Sequence, residues 1–157
     1  MNQKKSLPLR LGVGAIVLNK QNRVFVGKRK DNPVNKWQMP QGGVNDGEKL
    51  IDAMKRELEE ETGIKNIKIL KEVNGWSEYE LPDYLLGKLW RGKYRGQKQK
   101  WFVVRFLGND SEINLKTNKP EFIEWQWLNI ENLTEVIVHF KRKVYEKLLP
   151  EIKSSIN

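Results

Sequence analysis

Glu48, Glu57, Glu60 and Glu61, with Arg56 among them, are the residues of this chain whose types and spacing could do chemistry. They fall in the 23-residue stretch 42–64, GGVNDGEKLIDAMKRELEEETGI. A helix over residues 49–61 advances about 100° per residue. On that wheel Leu50, Ile51, Met54 and Leu58 form one apolar stripe. Glu57 and Glu60 stand to one side of the stripe, and Glu61 falls within it. An ionised carboxylate at the core edge of a helix is costly unless something positive pairs with it. Carboxylates at i, i+3 and i+4 also repel one another along one edge. A hard divalent cation such as Mg²⁺, or Mn²⁺ in its place, answers both problems, because it takes oxygen ligands and keeps positions open for phosphates. The competing reading is a solvated acidic helix. That reading leaves Glu61 on the apolar side, Glu48 upstream and the glycines at both ends without a reason. Gly42, Gly43 and Gly47 let the entering backbone turn tightly, and Gly63 is placed as a C-terminal stop.

The elements that must position this helix can be read on either side of it. Residues 12–18 and 23–28 read as two strands joined by a turn at 19–22. A loop at 31–35 contains Pro33. Trp37-Gln38-Met39-Pro40-Gln41 then leads into the glycines as an edge strand or extended approach. After the helix, 67–73 alternates as a strand should, and Trp76 and Tyr79 follow in a segment ending at Pro82. Residues 84–108 contain no acid but carry seven basic residues interleaved with Trp90, Tyr94 and Trp101. This mixture on a glycine-containing loop suits phosphate contact and base stacking, with a solvated basic loop as the plainer alternative. A strand is expected over 100–107, a polar loop over 110–119, and a last strand around Phe122, Trp125 and Trp127. Glu131 onward begins a helical region. A further helix runs over 141–149, where Pro150 is expected to end or bend it. The pattern alone supports one α/β or α+β domain over residues 7–150, with a frayed end at 151–157.

Composition bounds the function. At 157 residues with 38% hydrophobic and 31% charged residues, the chain reads as one soluble globular domain. It contains no cysteine, which excludes disulfides and thiolate metal sites. The apolar run 11–18 is short, holds Gly12 and Gly14 and has no cleavage site, so it reads as a strand and not as a signal peptide. No stretch has the length of a membrane span, and a cytoplasmic location is expected. A formal charge of +9, with many acids gathered around the glutamate helix, favours polyanionic partners.

The spacing G-x5-E-x7-R-E-L-x-E-E-x-G-I matches the Nudix box at every defined position. The chain therefore resembles a Nudix hydrolase, which implies an α/β/α sandwich with a central mixed β-sheet, hydrolysis of a nucleoside diphosphate linked to another group, and a divalent metal. Three further segments, WQMPQGG at 37–43, GQKQKWF at 96–102 and Pro120-Glu121-Phe122 through Phe140-Lys141-Arg142, resemble the bacterial RNA pyrophosphohydrolases. These overlap with the dinucleoside polyphosphate hydrolases and invasion-associated Nudix proteins. The resemblance implies metal ions on Glu57, Glu60, Glu61 and Glu121 beside Gly42, with Glu57 a candidate base and Arg56 holding the carboxylates. It implies Arg29 and Lys100 at the phosphates, and Arg10, Val138, Phe140 and Lys141 around a nucleobase. His139 stands where a small polar residue is usual and, with no histidine partner, is not expected to bind metal. The expected substrate is 5′-triphosphorylated RNA, without DNA specificity or membrane attachment, acted on by a monomer. The alternatives are a dinucleoside polyphosphate hydrolase and a non-catalytic nucleic-acid-binding domain.

Overall fold

The computed structural model describes residues 6–31, 35–117 and 120–156. Residues 32–34 of the expected 31–35 loop, the last two residues of the 110–119 loop and Asn157 lie outside them. In chain order the elements are β1 (Leu9–Leu18), β2 (Val24–Arg29), β3 (Gln41–Gly43), α1 (Leu50–Thr62), β4 (Ile67–Glu72), β5 (Ser77–Glu80), β6 (Gly96–Phe106), β7 (Phe122–Leu128), the one-turn α2 (Leu133–Val136) and α3 (Arg142–Ser155). Short 3₁₀ turns at Leu89–Gly92, Asp110–Glu112, Ile130–Asn132 and His139–Lys141 join them.

The sheet order is β4-β6-β1-β2-β7, with β3 added to β1 and β5 to β6. β1 and β6 run parallel over their full lengths, from Leu9 opposite Gly96 to Leu18 opposite Arg105. The other ladders are antiparallel. This is the mixed sheet the resemblance implied. The central strands are buried on both faces because helices cover both. Strand alternation sends Ile16, Leu18, Trp101 and Val103 to one cluster with Tyr145, Leu148 and Ile152 of α3. It sends Val13, Ala15, Val17, Phe102 and Val104 to the other, with Met54 and Leu58 of α1.

Three boundaries differ markedly from the sequence expectation, the first being β1, which begins at Leu9 and not at 12 because it pairs with β6 from Gly96 onward. β6 begins at Gly96, not at 100, because Gln97 and Gln99 are buried and bonded: Gln97 Nε2 donates to the Tyr79 hydroxyl at 2.8 Å and Gln99 Nε2 to Gln41 Oε1 at 3.0 Å. The C-terminal helix does not end at Pro150, and residues 151–156 are not a loose end. Pro150 sits inside α3, which continues to Ser155. A helix-interior proline costs about 3 kcal/mol. Burying Ile152 completely offsets roughly 1.5–3 kcal/mol of that, and Lys71 of β4 pairs with Glu151 and donates to Ser154 Oγ. Among the described residues no helix is long and apolar enough to cross a membrane.

Candidate active site

The glutamate helix is held at both ends. At its entrance the Asn45 N–H donates to Glu48 Oε1 at 3.0 Å, closing the turn before α1. At its exit Gly63 takes the left-handed conformation (φ 76) and donates its N–H to Glu59 O at 2.8 Å. Thr62 Oγ1 donates to Leu58 O and accepts the Ile64 N–H, which ties the exit to the following chain. The buried stripe contains Met54 and Leu58 as expected, together with Ala53, Glu61 and Thr62.

Arg56 is the hub of the acidic side. Its Nε and Nη2 form a fork on Glu48, at 2.8 and 2.9 Å, and Nη2 also donates to Gly43 O at 2.9 Å. Nη1 donates to Glu57 Oε1 at 2.8 Å and, more weakly, to Glu60 Oε2 at 3.4 Å. The planar guanidinium thus locks the glycine turn, the upstream glutamate and the helix edge into one unit. The fork holds the Glu48 carboxyl down to about 2. Glycine is required at the turn for space: a Cβ on Gly42 would collide with the Glu57 carboxylate, and one on Gly43 with the Arg10 guanidinium.

Glu61 is the least compensated group. It is 5% exposed, and its Oε2 has no hydrogen-bond partner. Burial pushes its carboxyl well above the ordinary range, and the charges of Glu57 and Glu121 push it further. Glu57 is also raised, by burial, with Arg56 opposing. Glu121 lies across the site, just before β7, where Arg29 Nη2 meets its Oε2 at 3.1 Å. Arg29 in turn makes a two-point bond to Asp31, both distances 2.9 Å.

These groups open onto a cavity of about 830 Å³. Its lining includes Arg10, Arg29, Gly42, Arg56, Glu57, Glu60, Glu61, Glu121, Val138, Phe140 and Lys141, so the structure brings eleven expected site residues to one place. Lys100 is not among them. Alternation along β6 sends Gln97 into the cavity and Lys100 to the opposite face, where its ammonium donates to Gly75 O at 3.1 Å and lies 5.6 Å from the Trp76 ring. His139 is exposed and packs edge-on to Phe140.

The cationic and aromatic part of the lining comes from distant segments. Phe140 lies 5.8 Å from the Tyr79 ring. Lys141 is buried, with Nζ 3.4 Å from Gln38 Oε1 and 5.4 Å from the Tyr79 ring. Burial, aided by the nearby Arg29 charge, brings the Lys141 ammonium down to about 7. Burial takes the Tyr79 hydroxyl up to about 12. Asp31, Gln38, Gln41, Tyr79 and Gln97 also line the cavity, and sequence reasoning gave them no role there; Trp90, expected on a loop suited to base stacking, lines it too. Asp31 had a signal, lying two residues from Arg29. The others depend on strand pairing.

A family profile described as NUDIX domain matches residues 8–148. The chain belongs to this family. Over 156 residues it is 56% identical to a protein of Pelagibacter ubique named RNA pyrophosphohydrolase, covering 99% of each chain. A protein of the same name from Rickettsia prowazekii is 45% identical over 155 residues, covering 99% of this chain and 96% of the relative. Among solved structures, the E. coli dihydroneopterin triphosphate pyrophosphohydrolase superposes with a TM-score of 0.68 at 18% identity, covering 92% of this chain and 99% of the other. A C. elegans Ap4A hydrolase complex does so with 0.65 at 17% identity, covering 92% and 97%. At such identities these two likenesses speak for the fold, which is the NUDIX sandwich.

Proposed function

We propose that this NUDIX protein is a divalent-metal-dependent hydrolase that removes pyrophosphate from the 5′-triphosphate end of RNA and leaves a 5′-monophosphate. The observation that carries the reading is one cavity lined both by a carboxylate wall and by a cationic, aromatic wall. The first suits a metal-bound triphosphate, and the second suits the nucleotides behind it. The full-length likeness to relatives named RNA pyrophosphohydrolase supports RNA as the substrate.

The donor set fits a divalent cation. Among the described residues no three acidic or histidine side chains already converge as a cage, because Glu57 and Glu60 turn toward Arg56 and Glu121 toward Arg29. The unpartnered, buried Glu61 oxygen between two further carboxylates is nevertheless a place where positive charge is favoured. Glu57, Glu60, Glu61 and Glu121, beside the Gly42 backbone, would hold the ion, with Mg²⁺ or Mn²⁺ the candidates. When bound, it supplies neutralisation of phosphate charge and an acidified water.

The chain's own residues supply the rest. Glu57, held by Arg56, would take the proton of the attacking water. In-line attack at the β-phosphorus forms one bond to the water oxygen and breaks the bond to the oxygen bridging the α-phosphorus. That oxygen stays with the RNA as its 5′-monophosphate, and pyrophosphate leaves. Arg29, oriented by Asp31 and Glu121, faces the phosphates as a fixed positive charge. Arg10, Val138, Phe140 and Lys141 take the nucleotide end.

The test is a comparison of initial rates on 5′-triphosphorylated RNA and on diadenosine tetraphosphate, with Mg²⁺ and with chelator, in one buffer. We expect metal-dependent release of pyrophosphate from the RNA at the higher kcat/KM. Efficient cleavage of the dinucleotide with an untouched RNA end would sink the reading.

A further inference from the structure

Between β5 and β6 the chain makes an excursion whose backbone is costlier than a connection needs. Trp90 (φ 51, ψ 38) and Arg91 (φ 57, ψ 27) both take the left-handed conformation, although Gly87 and Gly92 are at hand to make the turns. Bulky L-residues rarely adopt it. Such strain persists where the surroundings fix it and gathers at functional sites. Here it delivers an aromatic ring to a particular place. The Trp90 ring lies on the cavity lining with the Arg10 guanidinium 5.3 Å from its centre. Tyr94 braces the ring from behind in an edge-on contact at 6.1 Å. On another side Arg10 is flush with Gly43, where no Cβ could stand.

Arg10 is thus gripped between an aromatic shelf and the glycine turn. β1 and β6 set this up: Arg10 is directly opposite Gln97, so both project from the same face of the parallel pair into the cavity. A free arginine on this strand would sample many rotamers and would lose that freedom on binding. A guanidinium already held on an indole meets the ligand pre-organised, with its N–H groups still available.

We propose that Trp90 is a positioning residue for Arg10 and, through it, a determinant of the preference for a nucleotide chain over a free nucleotide. The inference rests on the RNA reading above. Its expected signature is coupling: the effect of Trp90 should exist only while Arg10 is present.

The experiment measures kcat and KM for wild type, Trp90→Leu, Trp90→Phe, Arg10→Ala and the two Trp90 variants in the Arg10→Ala background. The substrates are a triphosphorylated oligonucleotide and a nucleoside triphosphate, and melting curves accompany each protein. We expect Trp90→Leu to lower the oligonucleotide-to-nucleotide ratio of kcat/KM several-fold, mostly through KM. Trp90→Phe keeps an aromatic face and should retain most of the ratio. In the Arg10→Ala background neither Trp90 substitution should change the ratio further. An unchanged ratio in Trp90→Leu, or an equal loss with and without Arg10, overturns the proposal. Should Trp90→Leu fail to fold, the smaller loss in Trp90→Phe is read instead, and its persistence without Arg10 overturns the proposal equally. A wild type with no preference for the oligonucleotide removes the RNA reading itself. A wild type with the preference and an inert Trp90 removes only the role of Trp90.

Discussion

The two walls of the cavity are built in opposite ways. The carboxylate wall is local: Gly42, Gly43, Glu48, Arg56, Glu57, Glu60 and Glu61 lie within 20 residues, and one arginine ties the turn to the helix. The cationic and aromatic wall is remote. Arg10 comes from β1, Tyr79 from β5, Trp90 from the following loop, and Phe140 and Lys141 from the turn before α3. The charge balance differs as well. The first wall holds excess negative charge, with Glu61 buried and its Oε2 unpartnered, whereas the second holds a buried lysine whose charge is weakened. On the proposed function, the comparison teaches a division of labour, in which most of the reacting carboxylates are fixed by one helix and the groups for substrate choice by the whole fold.

Breaking the carboxylate wall should have the largest effect. Glu57→Gln keeps size and helix propensity but removes the charge. We expect turnover to fall by about 10²-fold or more, the scale of losing a positioned acid or base, with the fold retained. Glu59, exposed on the far side of α1, is the control. Normal rates in Glu57→Gln alongside an impaired Glu59→Gln would reverse the assignment.

Next in size is a stability effect on the same wall. Glu61→Gln replaces a buried carboxyl whose Oε2 lacks a hydrogen-bond partner and whose ionised form is disfavoured by burial. In chelator the variant should melt a few degrees above wild type, since about 1 kcal/mol corresponds to roughly 2–4 °C at this size. Added Mg²⁺ should raise the melting temperature of wild type more than that of Glu61→Gln, because a ligand of the native state stabilises only the protein that binds it. Equal Mg²⁺-dependent rises in the two proteins would take Glu61 out of the metal site.

Damage to the second wall should be smaller and should appear in KM. Stacking of a base on an aromatic ring contributes roughly 1–3 kcal/mol. Phe140→Ala is expected to raise KM for triphosphorylated RNA several-fold while kcat changes less. An equal fall in kcat would place Phe140 in the reaction and blur the contrast between the walls.

The last prediction concerns the charge of Lys141 and is read from stability, not from activity. Its ammonium is depressed to about 7 in the folded chain from 10.5. Between those values the unfolded chain holds the extra proton, so this group makes stability rise with pH from about 7 toward 10.5. The slope is at most about 1.4 kcal/mol per pH unit. Denaturation between pH 7 and 9.5 should show the rise in wild type and a flatter profile in Lys141→Met. Parallel profiles would mean that Lys141 is charged and solvated.

The sequence by itself determined the carboxylate wall. Helix periodicity is a local property, so the angles of Glu57, Glu60 and Glu61 and the stop at Gly63 could be read from spacing. The outline of one α/β or α+β domain was also legible, because alternation and turn residues act over short range, and the family resemblance supplied the mixed sheet. What only the tertiary structure decided depends on pairing between distant segments. Strand parity turned Lys100 away from the cavity and Gln97 into it. Packing of Ile152 and the Lys71–Glu151 pair carried α3 through Pro150 against its local preference. The β1–β6 register placed Arg10 beside Gln97, and left-handed backbone at Trp90 and Arg91 brought the indole to its guanidinium. Those contacts join residues far apart in the chain, 80 positions from Arg10 to Trp90 and 87 from Arg10 to Gln97, and no periodicity within either segment encodes them.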